Sequence, residues 1–550
     1  MRFPEEIAKT RKAGLPKRLR TVGLRSGAEA LVEALERAGA EVVFGYPGAN
    51  IVDVYERLQK AKFRFVLGRH EQGCTHMADG YARATGRPGV VVVTSGPGAT
   101  NAITGLATAN VDGVPMVLIS GQVPLSQIGT DAFQEADMTG ICRAATKHSF
   151  LVKSADEIPE TVAQAFYIAT HGKPGAVVID IPRNVQEELT AAVYPERISL
   201  RAYHPEHAAS TAQVNRLAKL LNEAKRPVLF AGGGVIAANA AKDVAALARR
   251  ANIPVATTLM GIGSFDENDP LALGMAGLYG TSAANAALGS ADLVIALGVR
   301  FNDRVTSENI PRNVRGRKIV HVDCDPSSID KNVAVDLGIV ADIKDLLTTV
   351  NSRIRPATHA DWQKRVAAWK SAGETPPSHK AASSRGGDVT ITRHVLESIY
   401  RATKGMAVLV ADVGNHQMAC ARHFRHSHPR HFLTSGGMGT MGFAIPAAIG
   451  AAVARPDEKV VAVVGDGGAQ MTFEELIVAV ELKLPVTFVV VNNAALGMVN
   501  TPISSPDFVM LAQAYGAKGV RVSDPKKLDA AMAKAVRAKS PVLVEVEVEG

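Results

Sequence analysis

From about residue 22 onward, short apolar runs rich in β-branched residues alternate with longer stretches of helical character, and this alternation narrows the folds open to the chain more than any other feature. VVVV at 90–93, MVLI at 116–119, VLF at 228–230, DLVIAL at 292–297, KIVHV at 318–322, AVLV at 407–410, KVVAVV at 459–464, VTFVVV at 486–491 and PVLVEVEV at 541–548 are the strand candidates. A strand apolar on both faces belongs in a parallel sheet with helices above and below, so the fold class is α/β, made of doubly wound parallel sheets. The first unit is clearly punctuated. Ser26 and Glu29 form a capping box, Leu31 and Leu35 share a helical face, and Gly39 ends the helix before the strand Val42-Val43-Phe44. The runs group into an N-terminal tail (1–21), a first α/β domain (22–190), a smaller central domain (205–350), a Pro-, Ser- and Gly-containing linker (371–388) and a third α/β domain (389–550). No short-period repeat is visible, which excludes a solenoid.

A chain of 550 residues, 47% hydrophobic and 21% charged, is too long for one core and too apolar for disorder. Its net charge of +8 is spread among acidic residues except in the first 20 or so positions, which argues against nucleic-acid binding and suits small anionic substrates. Cys74, Cys142, Cys324 and Cys420 lie far apart, without CxxC or zinc-ligand spacing, so a reducing, cytoplasmic location is expected. No apolar run approaches the roughly 20 residues of a membrane span, and no apolar secretory core is seen near the start. The leader is basic enough to suggest a transit peptide, but Glu5 and Glu6 oppose that reading, and a solvated tail is expected.

The strongest local signal is Gly465-Asp466-Gly467-Gly468, after a buried strand and before a helix whose start is read as a second capping box, Thr472 with Glu475. Twenty-four residues separate Gly467 from Asn492-Asn493, which ends the next buried strand. Both therefore sit at the carboxyl edge of a parallel sheet, where open α/β folds bind ligands. A strand-end Asp and Asn offer the oxygen atoms that Mg²⁺ prefers, and the glycines let backbone N–H groups approach a diphosphate at a helix N-terminus. Taken singly, the first is an ordinary turn and the second a helix cap; paired at this spacing they point to a metal–diphosphate site. The pair resembles the thiamine diphosphate motif. That resemblance implies Asp466, the Asn493 side chain and the Ala495 carbonyl as Mg²⁺ ligands, with Glu71 of Arg69-His70-Glu71-Gln72-Gly73 as the carboxylate on N1′ of the aminopyrimidine. A plain helix-N-terminal glutamate is the bland alternative for Glu71.

Further blocks extend the resemblance to nearly the whole chain: Gly45-Tyr46-Pro47-Gly48, TSGPGATN at 94–101, GQVP at 121–124, IGTDAFQEAD at 128–137, DVG with HQM at 412–418, TSGGMGTMG at 434–442 and GMV at 497–499. In this order they are similar to the acetolactate synthase (acetohydroxyacid synthase) catalytic subunits. The resemblance implies three α/β domains (pyrimidine-binding, central and diphosphate-binding) and an active site shared between two subunits, hence a homodimer or homotetramer. A regulatory subunit is compatible with it. It implies that pyruvate is decarboxylated and its two-carbon unit passed to a second 2-keto acid. It further places Gly414, Asn415 (where Gln is usual) and His416 near the diphosphate, Gly439, Met441 and Met498 near the thiamine, and Phe133 and Gln134 on the substrate side. Core packing is the alternative for Phe133 and Met441.

In the central domain, Gly232-Gly233-Gly234 after a strand is by itself a weak dinucleotide signal. With GIGSFDENDP at 261–270, Arg300 and Arg304 in a Gly298-to-Arg304 segment, and Asp323 in HVDCDP, it looks like the FAD-holding segments of the same family; carboligation moves no net electrons, so that flavin would be structural. Tyr279 stands where His is usual, and Asp323 where Glu is common. Only NTPISS at 500–505 follows the GMV segment where the family carries a longer loop with a Trp, and the C-terminal lid segment is missing before Gly550. Less exclusion of water from the reactive intermediate is the expectation. Rival thiamine enzymes are glyoxylate carboligase, which lacks the Glu kept here as Glu71, a pyruvate oxidase and a sulfoacetaldehyde acetyltransferase. Simple decarboxylases show a His-His pair absent from this chain. An inactive, lid-less homologue is the non-enzymatic reading, opposed by Asp466, Asn493 and Glu71.

Overall fold

Burial on both faces turns the apolar runs into parallel strands, as the patterning requires. The computed structural model describes residues 23–198, 200–306, 316–372 and 386–548 and arranges them as three six-stranded sheets flanked by helices. The tail (1–21) and most of the segment read as a linker (373–385) lie outside the described residues.

Helix α1 (Gly27–Arg37) starts on the expected capping box: Glu29 N donates to Ser26 Oγ at 3.2 Å and Ser26 N to Glu29 Oε2 at 2.9 Å. Gly39, at φ +85°, turns the chain into the first strand. The first sheet contains β1 (Val42–Tyr46), β2 (Arg64–Leu67), β3 (Gly89–Val93), β4 (Met116–Gln122), β5 (His148–Leu151) and β6 (Ala176–Pro182), in the order β2-β1-β3-β4-β6-β5, all parallel. Helix α2 (Glu71–Thr85) follows β2 and is capped by His70, whose Nδ1 accepts from Gln72 N at 3.1 Å.

The central sheet contains β7 (Pro227–Ala231), β8 (Val255–Thr257), β9 (Ala272–Met275), β10 (Leu293–Leu297), β11 (Lys318–Asp323) and β12 (Leu337–Val340). Its order, β9-β8-β7-β10-β11-β12, is that of a dinucleotide-binding doubly wound sheet, with the switch point between β7 and β10. The third sheet follows helix α3 (Gly386–Thr403), which begins inside the segment read as a linker. Its strands are β13 (Val408–Ala411), β14 (Phe432–Thr434), β15 (Val460–Gly465), β16 (Val486–Asn492), β17 (Lys518–Val522) and β18 (Val542–Glu547). Their order, β14-β13-β15-β16-β18-β17, repeats that of the first sheet.

The first and third domains share a core. Phe44, Met77 and Leu106 of the first lie in one cluster with Phe443, Ile449 and Phe488 of the third. The contact runs along α2 and a third-domain helix, α5 (Ala444–Ala454), the helix α4 (Asn415–His423) lying before it in the chain. Two glycines let α2 and α5 touch backbone to backbone: a Cβ on Gly80 would fall 2.1 Å from Ala447 O, and one on Gly450 1.8 Å from Met77 O. Among the described residues no helix is long and apolar enough to cross a membrane.

Candidate active site

Three strands of the third sheet end side by side and deliver their next residues to one edge. Asp412 follows β13, Asp466 follows β15, and Asn492-Asn493 closes β16. Asp412, which sequence reasoning passed over inside the DVG block, is fully buried and accepts from Val413 N (2.8 Å), Gly442 N (3.0 Å) and Ala444 N (2.9 Å). It thereby ties the glycine-rich turn at 436–442 to the strand edge, and burial pushes its carboxyl up to about 6. A Cβ on Gly468 would sit 2.7 Å from Asp412 Oδ1, so this close approach requires glycine.

The helix after the GDGG turn starts at Asp466 itself, α6 (Asp466–Met471), and not at Thr472. The second capping box does not form. Thr472 Oγ1 donates to Gly442 O at 2.8 Å, and the Glu475 carboxylate crosses to the first domain, where it accepts from Arg69 N (3.1 Å) and His70 N (2.9 Å). Two part-buried backbone donors of another domain outcompete the local cap.

Asp466 is buried and accepts from Gly467 N at 3.0 Å and Ser505 Oγ at 3.1 Å. Burial raises its carboxyl, and those hydrogen bonds, with one from the Ala495 backbone, oppose the rise. The His416 ring lies against Gly414 and Gly465: a Cβ on either would come within 2.6 and 2.8 Å of its Cε1. His416 Nε2 is buried and has no hydrogen-bond partner, and burial lowers the ring to about 4, so it is neutral. Asn415 and Asn493 converge on Gly497, whose Cβ would stand 2.5 Å and 3.7 Å from their Nδ2 atoms. Met441 and Leu496 press on Gly467, and Gly439, at φ +66°, turns the chain beside Val413. The structure thus brings together Gly414, Asn415, His416, Gly439, Met441, Gly465, Asp466, Gly467, Gly468, Asn493 and Ala495.

The short loop at 500–505 is ordered by hydrogen bonds. Ala495-Leu496 pairs with Thr501-Pro502 in a two-residue hairpin, Ile503 N donates to Ala494 O at 3.0 Å, and Ser505 reaches Asp466. Short as it is, the segment packs on the strand edge: Ile503 Cδ1 lies 3.5 Å from where a Cβ on Gly467 would stand.

Glu71 opens α2 in the first domain and is 8% exposed. Asn101 Nδ2 donates to its Oε2 at 3.0 Å, and the turn Gly96-Pro97-Gly98 presses close: a Cβ on Gly98 would fall 3.1 Å from Glu71 Oε1. Gln134, at φ +62°, packs its backbone on Gly96 and leaves its Oε1 buried without a partner. Phe133 beside it is 85% exposed, so it does not serve as core packing. These residues form a second cluster, and the large cavity that reaches Gly439 and Met498 does not include Glu71 in its walls.

That cavity, of about 870 Å³, opens at the β7/β10 switch point of the central sheet. Gly233, Arg300, Arg304, Asp323 and Tyr279 line it. Gly232 lies behind its wall, its N donating to Leu297 O at 2.9 Å, with no room for a Cβ, which would be 2.0 Å from Gly298 O. Burial pushes Asp323 up to about 6, with Lys173 and Arg300 among the groups opposing the rise.

A third sheet whose strand ends gather Asp466 and Asn493 under glycine-lined backbone, paired with a first sheet of the same order that carries a buried Glu71, defines a thiamine diphosphate enzyme. Comparison agrees along the chain: residues 25–141 match the N-terminal TPP binding domain of thiamine pyrophosphate enzymes, 214–350 their central domain and 412–546 their C-terminal TPP binding domain. The acetolactate synthase large subunit of Haemophilus influenzae is 42% identical over 548 residues, 95% of this chain and 94% of that protein. The isozyme 3 large subunit of Escherichia coli is 42% identical over 552 residues, 96% and 95% of the two chains. The mitochondrial catalytic subunit of Saccharomyces cerevisiae is 41% identical over 577 residues, 99% of this chain and 84% of its own. The chain belongs to the acetolactate synthase large-subunit family.

Proposed function

We propose that the chain takes CO₂ from one molecule of pyruvate and joins the remaining two-carbon unit to a second 2-keto acid, giving 2-acetolactate when the acceptor is pyruvate, for branched-chain amino acid synthesis. The observation that carries this reading is the pairing of an intact Asp466/Asn493 edge with a buried Glu71 at a helix N-terminus, in a chain similar end to end to acetolactate synthases. Thiamine diphosphate, when bound, supplies the electron sink that lets a 2-keto acid lose CO₂.

The donor set fits Mg²⁺ and a diphosphate. One carboxylate (Asp466), one amide oxygen (Asn493) and one carbonyl (Ala495) would leave octahedral positions for phosphate oxygens and water. The backbone N–H of Gly468 and the Nδ2 group of Asn415 suit anionic oxygens, with Gly414, His416, Gly465 and Gly467 beside them. Met441, Gly439 and Met498 would shape the thiamine side. Glu71 would hold a proton at N1′ of the aminopyrimidine, kept in place by Asn101. Gln134 and Phe133 would face the substrate.

The strand order of the central sheet, the glycine turn at 232–234 and the volume of the cavity suit FAD, with Gly233, Arg300, Arg304 and Asp323 around it and Gly232 packed behind the wall. Its role would be structural. The separation of Glu71 from the cavity at Met498 and the exposure of Phe133 support a site completed by a second copy, hence a homodimer or homotetramer. The large-subunit relatives support a regulatory partner, and four cysteines without disulfides support a cytoplasmic location.

The test is to incubate the purified protein with pyruvate, thiamine diphosphate, Mg²⁺ and FAD and to follow products by NMR. Acetolactate as main product is expected; acetaldehyde or acetate in its place would overturn the carboligase reading. The Glu71→Gln protein should bind thiamine diphosphate yet lose most turnover, and full activity in it would overturn the assignment of Glu71.

A further inference from the structure

One carboxylate touches all three domains. Asp112 ends the first-domain helix Ile103–Asp112, and its side chain is fully buried. Its Oδ2 accepts from Arg83 of its own domain at 2.9 Å and from Gly436 N of the third domain at 3.0 Å. Its Oδ1 accepts from Gly437 N at 2.7 Å and faces the Arg300 guanidinium of the central domain at 3.7 Å. Arg300 also donates to the carbonyl of Val111. Arg83 is paired in turn with buried Asp79, so two carboxylates and two guanidinium groups balance across the junction. The fit is close: a Cβ on Gly437 would fall 2.3 Å from Val111 Cγ1, 2.7 Å from Asp112 Oδ1 and 3.3 Å from an Arg300 nitrogen.

Both outer partners line the central cavity, with Asp112 between them, and Gly436-Gly437 also begins the turn that runs on through Gly439 to Met441 at the thiamine side. A dinucleotide diphosphate in the cavity would draw on the same guanidinium that Asp112 faces, and any shift of Asp112 moves the amides it holds. A buried charge with a fixed set of donors does not yield gradually, because each lost partner leaves an uncompensated group.

We infer that Asp112 is a positioning residue that couples the two cofactor sites: through it, the state of Arg300 at the dinucleotide cavity sets the placement of the 436–441 turn at the thiamine cradle. The inference rests on the proposed assignment of the two sites to FAD and thiamine diphosphate. Coupling of this kind is reciprocal, so each cofactor changes the affinity of the other by one and the same factor.

The experiment titrates the full-length protein with thiamine diphosphate and Mg²⁺ by calorimetry, with and without saturating FAD, and with FAD by flavin fluorescence, with and without thiamine diphosphate. In the unaltered protein each cofactor should tighten the other about tenfold. In Asp112→Asn both cofactors should still bind while that factor falls to about one. Arg300→Lys changes a partly exposed side chain and decides the matter if Asp112→Asn does not fold; there the FAD affinity drops and the factor again falls to about one. Equal thiamine affinity with and without FAD in the unaltered protein, or a factor that survives in either variant, overturns the coupling and leaves the cofactor assignment standing. Absence of binding by either cofactor overturns both.

Discussion

Replacing Glu475 with glutamine separates the charge of this residue from its hydrogen bonds. Its carboxylate sits fully buried at the seam of the first and third domains, held by Arg69 N and His70 N. A Cβ on Gly73 would fall 1.9 Å from its Oε1, so the pocket is closed around it. Burial pushes its carboxyl from 4.5 up to about 7, against the pull of those two amides. The folded chain therefore binds the proton more tightly than the unfolded chain between these values. Stability contributed at this site is fully present below 4.5, falls as pH rises towards 7 and is level above it. The whole window amounts to ~3 kcal/mol. Glutamine keeps an oxygen for both amides and cannot ionise. Glu475→Gln should match the parent at pH 5 within ~1 kcal/mol and exceed it at pH 8 by up to ~3 kcal/mol. Glu475→Ala should be weaker at both, because two part-buried donors lose their acceptor, at ~1 kcal/mol each. Urea unfolding at the two pH values, followed through the first transition by circular dichroism, gives the numbers. An equal difference between the Glu and Gln proteins at pH 5 and pH 8 refutes the argument, since other groups cancel in that comparison. Because Arg69-His70 leads directly into Glu71, the alanine protein should also lose turnover, while the glutamine protein keeps it.

Ser505→Ala removes the hydroxyl that orients Asp466, and Mg²⁺ affinity, measured through Mg²⁺-dependent thiamine diphosphate binding, should fall ~10-fold or more. Gly450→Ala drives a methyl into the Met77 carbonyl at the α2–α5 contact and should cost ~3 kcal/mol or more, read as a lowered melting temperature with early loss of bound thiamine diphosphate. Asp180, pushed up to about 7 by burial against donors Ser120 and Gln122, loses stabilisation as pH rises from 3.8 to that value. Asp180→Asn should flatten that part of the stability profile, and an unchanged slope in urea unfolding would count against its burial as the cause.

What could be read from sequence divides by the range of the interactions involved. The capping box at 26–29 and the glycine stop at 39 formed because their partners lie within one turn of helix. The shared strand edge was legible because 465–468 and 492–495 each fall within a few residues of a strand end. Thr472 and Glu475 show the limit: the same local pattern lost its glutamate to amides 405 and 406 residues away. Asp112 carries no motif, and its partners stand 29, 324 and 325 residues distant. The strands at 255–257, 272–275 and 432–434 escaped notice because three or four residues give no periodicity to read. The common order of the first and third sheets was equally hidden, since topology is conserved in space without a sequence period. Yet that shared order explains the division of labour. Two equivalent parallel sheets each present a carboxyl edge, one bearing Glu71 against the Gly96–Gly98 turn, the other bearing Asp412, Asp466 and Asn493. Two such edges act on one cofactor only when a sheet of each kind faces it, and the apolar Phe133 left exposed beside the Glu71 edge supports the proposed second copy there.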